Sequence, residues 1–209
     1  MRLRVLTSGP LETNAYLLTN PETRQAVLID APQAVVPRVD RALRDEGCEL
    51  VALLLTHGHF DHMYEAAVFQ KRGVPVYAHE ADRVLLETPQ VMEAVVPGLS
   101  LTPVKLDRSV SDGDVLNLMG LRIEVRHVPG HCPGNVLFYV EARRAAFVGD
   151  VIFAGSVGRT DFPGGDPAVL RNSILKRVYT LPPATVLYPG HGPKTSVEHE
   201  FRTNPYVRG

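Results

Sequence analysis

The chain has no tryptophan, only two cysteines and only four lysines among its 209 residues. Cys48 and Cys132 cannot supply the disulfide framework that staples small secreted domains, and so few thiols suit a reducing compartment. No apolar run approaches the ~20 residues needed to cross a bilayer. The start, Met1-Arg2-Leu3-Arg4-Val5-Leu6, lacks the apolar core and cleavage site of a secretory leader, so a cytoplasmic protein without a membrane partner is expected. Charge of one sign is also missing. The 22 basic and 23 acidic residues leave a net charge of −1, and no long basic run offers a nucleic-acid footprint. With 44% hydrophobic and 22% charged residues the composition is that of an ordinary globular protein, and one domain over residues 1–209 is expected.

What the chain does have is clustered histidine. His57, His59, Asp61 and His62 fall within six consecutive residues, directly after the apolar stretch Val51 to Leu55, which reads as a buried strand. Imidazole and carboxylate are the donors that Zn²⁺ and Fe²⁺ prefer, and four of them leaving one strand end can serve two adjacent ions. Three more donors follow apolar stretches. His131 stands in Pro129-Gly130-His131-Cys132-Pro133-Gly134, Asp150 ends the run from Ala145, and His191 lies inside Pro189-Gly190-His191-Gly192-Pro193. One rim of strand ends is therefore expected to gather all seven side chains.

Around this pattern, strands are expected near Leu3 and Val5, over Ala15–Leu18, Ala26–Ile29, Val51–Leu55, Val74–Ala78, Val115–Leu118, Leu121–Val128, Val136–Val140, Ala145–Val148 and Ala184–Tyr188. Helical spacing predicts helices over Gln33–Glu46, Met63–Arg72, Glu80–Glu87, about Pro167–Tyr179 and Ser196–Arg202. Thr88 to Pro103 reads as a loop or broken helix, and Gly155 to Gly165 as a Gly-rich loop. Helices on the outer faces of two packed sheets suit this succession.

The motifs Thr-His-Gly-His-Phe-Asp-His at 56–62, His-Val-Pro-Gly-His at 127–131, Gly-Asp at 149–150 and Pro-Gly-His-Gly-Pro at 189–193 resemble those of the metallo-β-lactamase superfamily, and more narrowly the glyoxalase II group. The resemblance implies an α/β fold, the αββα sandwich of two central mixed β-sheets flanked by helices. It also implies two divalent metal ions, zinc first, with iron or manganese as alternatives. His57, His59 and His131 would hold one ion, Asp61, His62 and His191 the other, and Asp150 would bridge them. Asp61 would in addition orient the attacking water, and Asp30 would stand behind the ligands without binding metal.

Arg159, in Gly155-Ser156-Val157-Gly158-Arg159-Thr160-Asp161-Phe162, offers a rigid fork for a substrate carboxylate, or fixes its own loop through Asp161. His127, His79 and His199 are expected to be structural or exposed, and Cys132 to be a small buried residue. The activity implied is hydrolysis of a small-molecule acyl thioester such as lactoylglutathione. The rival is an iron-dependent persulfide dioxygenase, and lactonase or β-lactamase activity ranks below both. The large glyoxalase II enzymes carry a helical C-terminal glutathione-binding domain, and this chain ends soon after Asn204-Pro205-Tyr206, which puts the thiol in question.

Overall fold

The computed structural model describes residues 1–94, 96 and 98–209. The chain folds as two compact units, Met1–Val110 with Asn117–Leu121, and Ser111–Leu116 with Arg122–Gly209. In the first unit the early apolar runs form an antiparallel meander, β1 (Arg2–Ser8), β2 (Thr13–Asn20) and β3 (Gln25–Ile29). Three parallel strands extend it, β4 (Glu49–Leu54), β5 (Val76–His79) and β6 (Arg108–Val110), in the order β1-β2-β3-β4-β5-β6.

Helix α1 (Val36–Glu46) connects β3 to β4, and its Val39 and Ala42, with Val35 before it, pack in one core with Leu17, Leu28 and Leu53. It ends at Gly47, as its sequence predicts. The single helix expected over Met63–Arg72 is instead two, α2 (Phe60–Met63) and α3 (Ala66–Lys71). The chain leaving β3 takes the backbone between them: Ala31 N donates to His62 O at 2.7 Å and Glu65 N donates to Ala31 O at 2.9 Å. Those groups are lost to a continuous helical ladder.

The segment expected as one helix from Glu80 begins with a tight 3₁₀ turn, Glu80–Asp82, and continues as α4 (Arg83–Glu87). Between Thr88 and Pro103 one short helix appears, α5 (Gln90–Glu93), while Val95 and Pro97 lie outside the described residues. Strand β6 was not legible, because Arg108-Ser109-Val110 has neither length nor alternation.

The second unit holds β7 (Val115–Leu118), β8 (Leu121–His127), β9 (Val136–Val140), β10 (Ala145–Gly149), β13 (Val186–Pro189) and β14 (Thr195–Ser196), ordered β14-β13-β10-β9-β8-β7. The tip of the β7–β8 hairpin, residues 117–121, belongs with the first unit. β10 runs parallel to β13 and antiparallel to β9, so this sheet is mixed like the first. Every residue of β9 and β10 is buried, which matches their unbroken apolar sequences.

A small hairpin pairs β11 (Ile152–Phe153) with β12 (Ser156–Val157), the second of which falls in the Gly155–Gly165 segment expected as a loop. Helix α6 (Pro167–Ser173) starts on Asp166, whose side chain accepts from Ala168 N and Val169 N. The helix expected to run on to Tyr179 widens after Ser173 into a π turn, Ile174–Val178, closed by Tyr179 N to Ile174 O at 2.9 Å. Leu170, Ile174 and Val178 pack with Leu137, Val148 and Leu187 in the core of this unit. Helix α7 (Val197–Thr203) completes the chain. Two mixed β-sheets flanked by helices are the architecture expected from the motifs. Among the described residues no helix is long and apolar enough to cross a membrane.

Candidate metal centre

Four expected ligands of the first unit follow β4, His57 and His59 in the turn after it and Asp61 and His62 in α2. His57, His59 and His62 are buried there, Asp61 half-buried. The His57 ring centroid lies 4.8 Å from that of His59 and 4.1 Å from that of His62. A ring in this cluster can serve a metal only as a neutral imidazole, since a protonated one has no electron pair to offer.

The network behind them fixes which nitrogen carries the proton. Asp30, at the end of β3 with a left-handed φ of 60°, turns its buried carboxylate toward Thr56 and His62. It accepts from Thr56 N, Thr56 Oγ1 and His62 Nδ1, each at 2.8 Å. Because Thr56 Oγ1 spends its one hydrogen on Asp30, it accepts from His57 Nδ1 at 3.1 Å. Both rings therefore keep a lone pair on Nε2, the state a metal ligand requires. Sequence reasoning found Asp30 but not Thr56, whose hydroxyl joins two histidines to that carboxylate.

Two further contacts were missed. Asp82, fully buried, accepts from Gly58 N at 2.8 Å and so pins the peptide between His57 and His59. Gly58 is needed there, since a Cβ would come within 2.8 Å of Leu85 Cβ. Thr13, at the start of β2, donates from Oγ1 to Asp61 Oδ2 at 2.8 Å. Neither contact left a sequence signal, because each joins residues tens of positions apart.

In the second unit the three expected donors share one side chain. Asp150 Oδ2 lies 3.7 Å from His131 Nε2 and 3.4 Å from His191 Nε2. His131 Nδ1 lies 2.7 Å from Arg159 O, and a carbonyl can only accept, so the lone pair of His131 is again on Nε2. The loop comes this close because Gly158 has no side chain: a Cβ there would sit 1.8 Å from Asp150 O. Phe153 meets the His191 ring edge-on, with centroids 6.0 Å apart.

These spacings test whether the residues suit metal ions. Two donors each ~2.1 Å from one tetrahedral ion stand about 3.4 Å apart. Asp61 Oδ2 and His62 Nε2 are 3.4 Å apart in the first unit, and the two Asp150 pairs are 3.4 and 3.7 Å apart in the second. All are long for a direct charge-assisted hydrogen bond and right for ligands of a shared cation. The donor set fits divalent metal.

Arg159 is engaged locally. Its guanidinium makes a bidentate pair with Asp161, both bonds 2.7 Å, and lies 3.9 Å over the Phe162 ring. That fork holds the Asp161 carboxyl down at about 2 and raises the Arg159 pKa. The loop-fixing contact is present, and both side chains remain more than half exposed. Of the other histidines, His127 Nε2 lies 2.7 Å from Pro133 O, His79 Nδ1 accepts from Ala81 N at 3.2 Å, and His199 is exposed on α7. Cys132 is fully buried.

The sequence model of the metallo-β-lactamase superfamily matches residues 8–191. The chain is 33% identical to hydroxyacylglutathione hydrolase GloC of Haemophilus influenzae, with 99% of this chain and 98% of that protein covered. It is 31% identical to human mitochondrial persulfide dioxygenase ETHE1, covering 92% of this chain and 70% of that protein. Among solved structures it is similar to TTHA1623 in a di-iron-bound form, at 40% identity and TM-score 0.85, over 98% of this chain and 100% of that one. It is also similar to the BLEG-1 B3 metallo-β-lactamase, at 34% identity and TM-score 0.92 over the full length of both. With a family match through most of its length, and relatives that include both a hydrolase and a dioxygenase, the chain belongs to the metallo-β-lactamase superfamily.

Proposed function

We propose that the protein is a cytoplasmic thioester hydrolase of the glyoxalase II type, acting on a small 2-hydroxyacyl thioester with two divalent ions. His57, His59 and His131 would hold one ion, Asp61, His62 and His191 the other, and Asp150 both. The observation that carries this reading is the spacing of Asp61 and His62, 3.4 Å, which matches the 3.7 Å between His131 and Asp150, donors to the other ion. The ligands of a second ion are thus built as carefully as those of the first, whereas activation of O₂ at a single iron needs only one facial set of donors. Similarity to GloC over nearly the whole length of both chains supports the same choice.

When bound, such ions acidify a coordinated water toward neutrality and polarise a carbonyl oxygen. The residues of this chain supply the rest. Asp30 and Thr56 hold His57 and His62 in the tautomer that keeps Nε2 free of a proton. Asp61, fixed by Thr13, would accept a hydrogen bond from the attacking water and hold it toward the acyl carbon. A thiolate leaves without a strong general acid, so no further proton donor is required. Arg159 would meet a substrate carboxylate by exchanging it for Asp161, a swap open to an exposed pair. A chain of this length does not by itself argue against glutathione conjugates, since GloC is matched over 98% of its own length.

The discriminating experiment sets three substrates against one metal-replete preparation. Free thiol released from S-lactoylglutathione is the expected result. Oxygen uptake with glutathione persulfide and no thioester cleavage would overturn it in favour of the dioxygenase reading, which the likeness to ETHE1 keeps in view. Turnover of a β-lactam alone would favour the third reading.

A further inference from the structure

We infer that Thr13 is a positioning residue for Asp61, selecting the oxygen and the direction in which that carboxylate offers an electron pair to metal. This rests on the binuclear reading above. Thr13 opens β2, is 1% exposed, and its Oγ1 lies 2.8 Å from Asp61 Oδ2, across 48 positions of sequence. An ionised carboxylate only accepts, so the threonine hydroxyl is the donor. The same Oδ2 lies 3.4 Å from His62 Nε2.

One lone pair of Oδ2 is thereby committed to Thr13, while the same oxygen faces His62 Nε2 at 3.4 Å. An ion about 2.1 Å from both atoms would sit between them. The bond also joins a side chain carried by the short helix α2 to a strand paired with both β1 and β3. A hydroxyl placed merely to satisfy its own burial would not have to point at this oxygen.

The predicted consequence is selective. Partners that orient ligands are worth 10–100-fold in metal affinity. Chelator-stripped protein is titrated with Co²⁺ against a chromophoric competitor, while the visible ligand-field bands report each ion as it binds. Thr13→Val should weaken the second equivalent by about 10–100-fold and alter its band, with the first equivalent within about two-fold of wild type. Thr13→Ser, which keeps the hydroxyl, should bind both equivalents nearly as wild type does. If the valine variant melts too early to titrate, Thr13→Ala removes the hydroxyl without adding an apolar contact and should rank with it. Two equivalents bound by Thr13→Val or Thr13→Ala with wild-type affinity would overturn the role of Thr13 alone, and so would a serine variant as impaired as valine. A wild-type protein that takes one equivalent would overturn the binuclear reading, and this inference with it.

Discussion

Asp30→Asn changes one atom for another of nearly equal size and should weaken binding of a metal ion to which Asp30 itself offers no ligand. Asp30 is 1% exposed, and its two oxygens accept three hydrogen bonds of 2.8 Å, from Thr56 N, Thr56 Oγ1 and His62 Nδ1. An amide has one accepting oxygen and two donated hydrogens. With that oxygen kept on Thr56 N, the amide nitrogen faces Thr56 Oγ1 and His62 Nδ1, both of which donate in the native network. Either His62 keeps its proton, and two donors confront each other, or the proton moves to Nε2 and removes the lone pair beside Asp61. Both outcomes weaken the second ion. A loss of 10–100-fold in its affinity is expected, about 1.4–2.8 kcal/mol. A buried donor left without an acceptor costs about 1–3 kcal/mol of stability besides. Calorimetric titration with Zn²⁺ reads the first effect, and the melting temperature of metal-free protein reads the second. An asparagine variant that binds two equivalents like wild type and melts within about 1 °C of it would refute the tautomer argument, since even 1 kcal/mol moves Tm by about 2–4 °C at this chain length.

His59→Ala and Asp150→Ala should each abolish turnover while circular dichroism still reports a folded chain; near-native activity in either folded variant would remove that residue from the site. Glu46 is a pH prediction. Burial opposes its ionisation, but hydrogen bonds from Thr19 and Arg4, and the charge of Arg4, outweigh burial and hold its pKa below 4.5. A depressed carboxylate stabilises the fold above its unfolded value and loses that contribution as pH falls through the folded value. The Tm gap between wild type and Glu46→Gln should therefore shrink as pH drops below 4.5, and a gap constant with pH would contradict the assignment. For Arg159→Ala, KM for an anionic thioester should rise about ten-fold, with a neutral thioester little affected and metal content unchanged. Equal losses on both would assign Arg159 to its loop, through Asp161, and to nothing more.

The sequence spoke most clearly where one physical cause dominates. Unbroken apolar runs such as Val136–Val140 and Ala145–Val148 had to be buried strands, and both are. The 3.6-residue spacing ending at Gly47 had to be an amphipathic helix. It spoke least clearly where backbone groups are claimed from a distance. Ala31 takes the peptide groups of His62 and Glu65 and splits a helix whose own spacing looked continuous. Ile174–Val178 keeps helical propensity and yet widens to a π turn, which no local pattern marks. The candidate metal donors stood out because histidine and aspartate crowd into motifs. Thr13, Thr56 and Asp82 were not, because a single threonine or aspartate has common uses and only the fold aims these at Asp61, Asp30 and Gly58.

The central claim is that two ions per chain serve thioester hydrolysis, and one measurement tests it most directly: S-lactoylglutathione turnover followed as metal-stripped protein is titrated with Zn²⁺, in parallel with Fe²⁺. Thiol release that climbs to a plateau at two equivalents, with either metal, is the expected result. A plateau at one equivalent of Fe²⁺, with O₂ consumed as glutathione persulfide is oxidised and the thioester left intact, would contradict it.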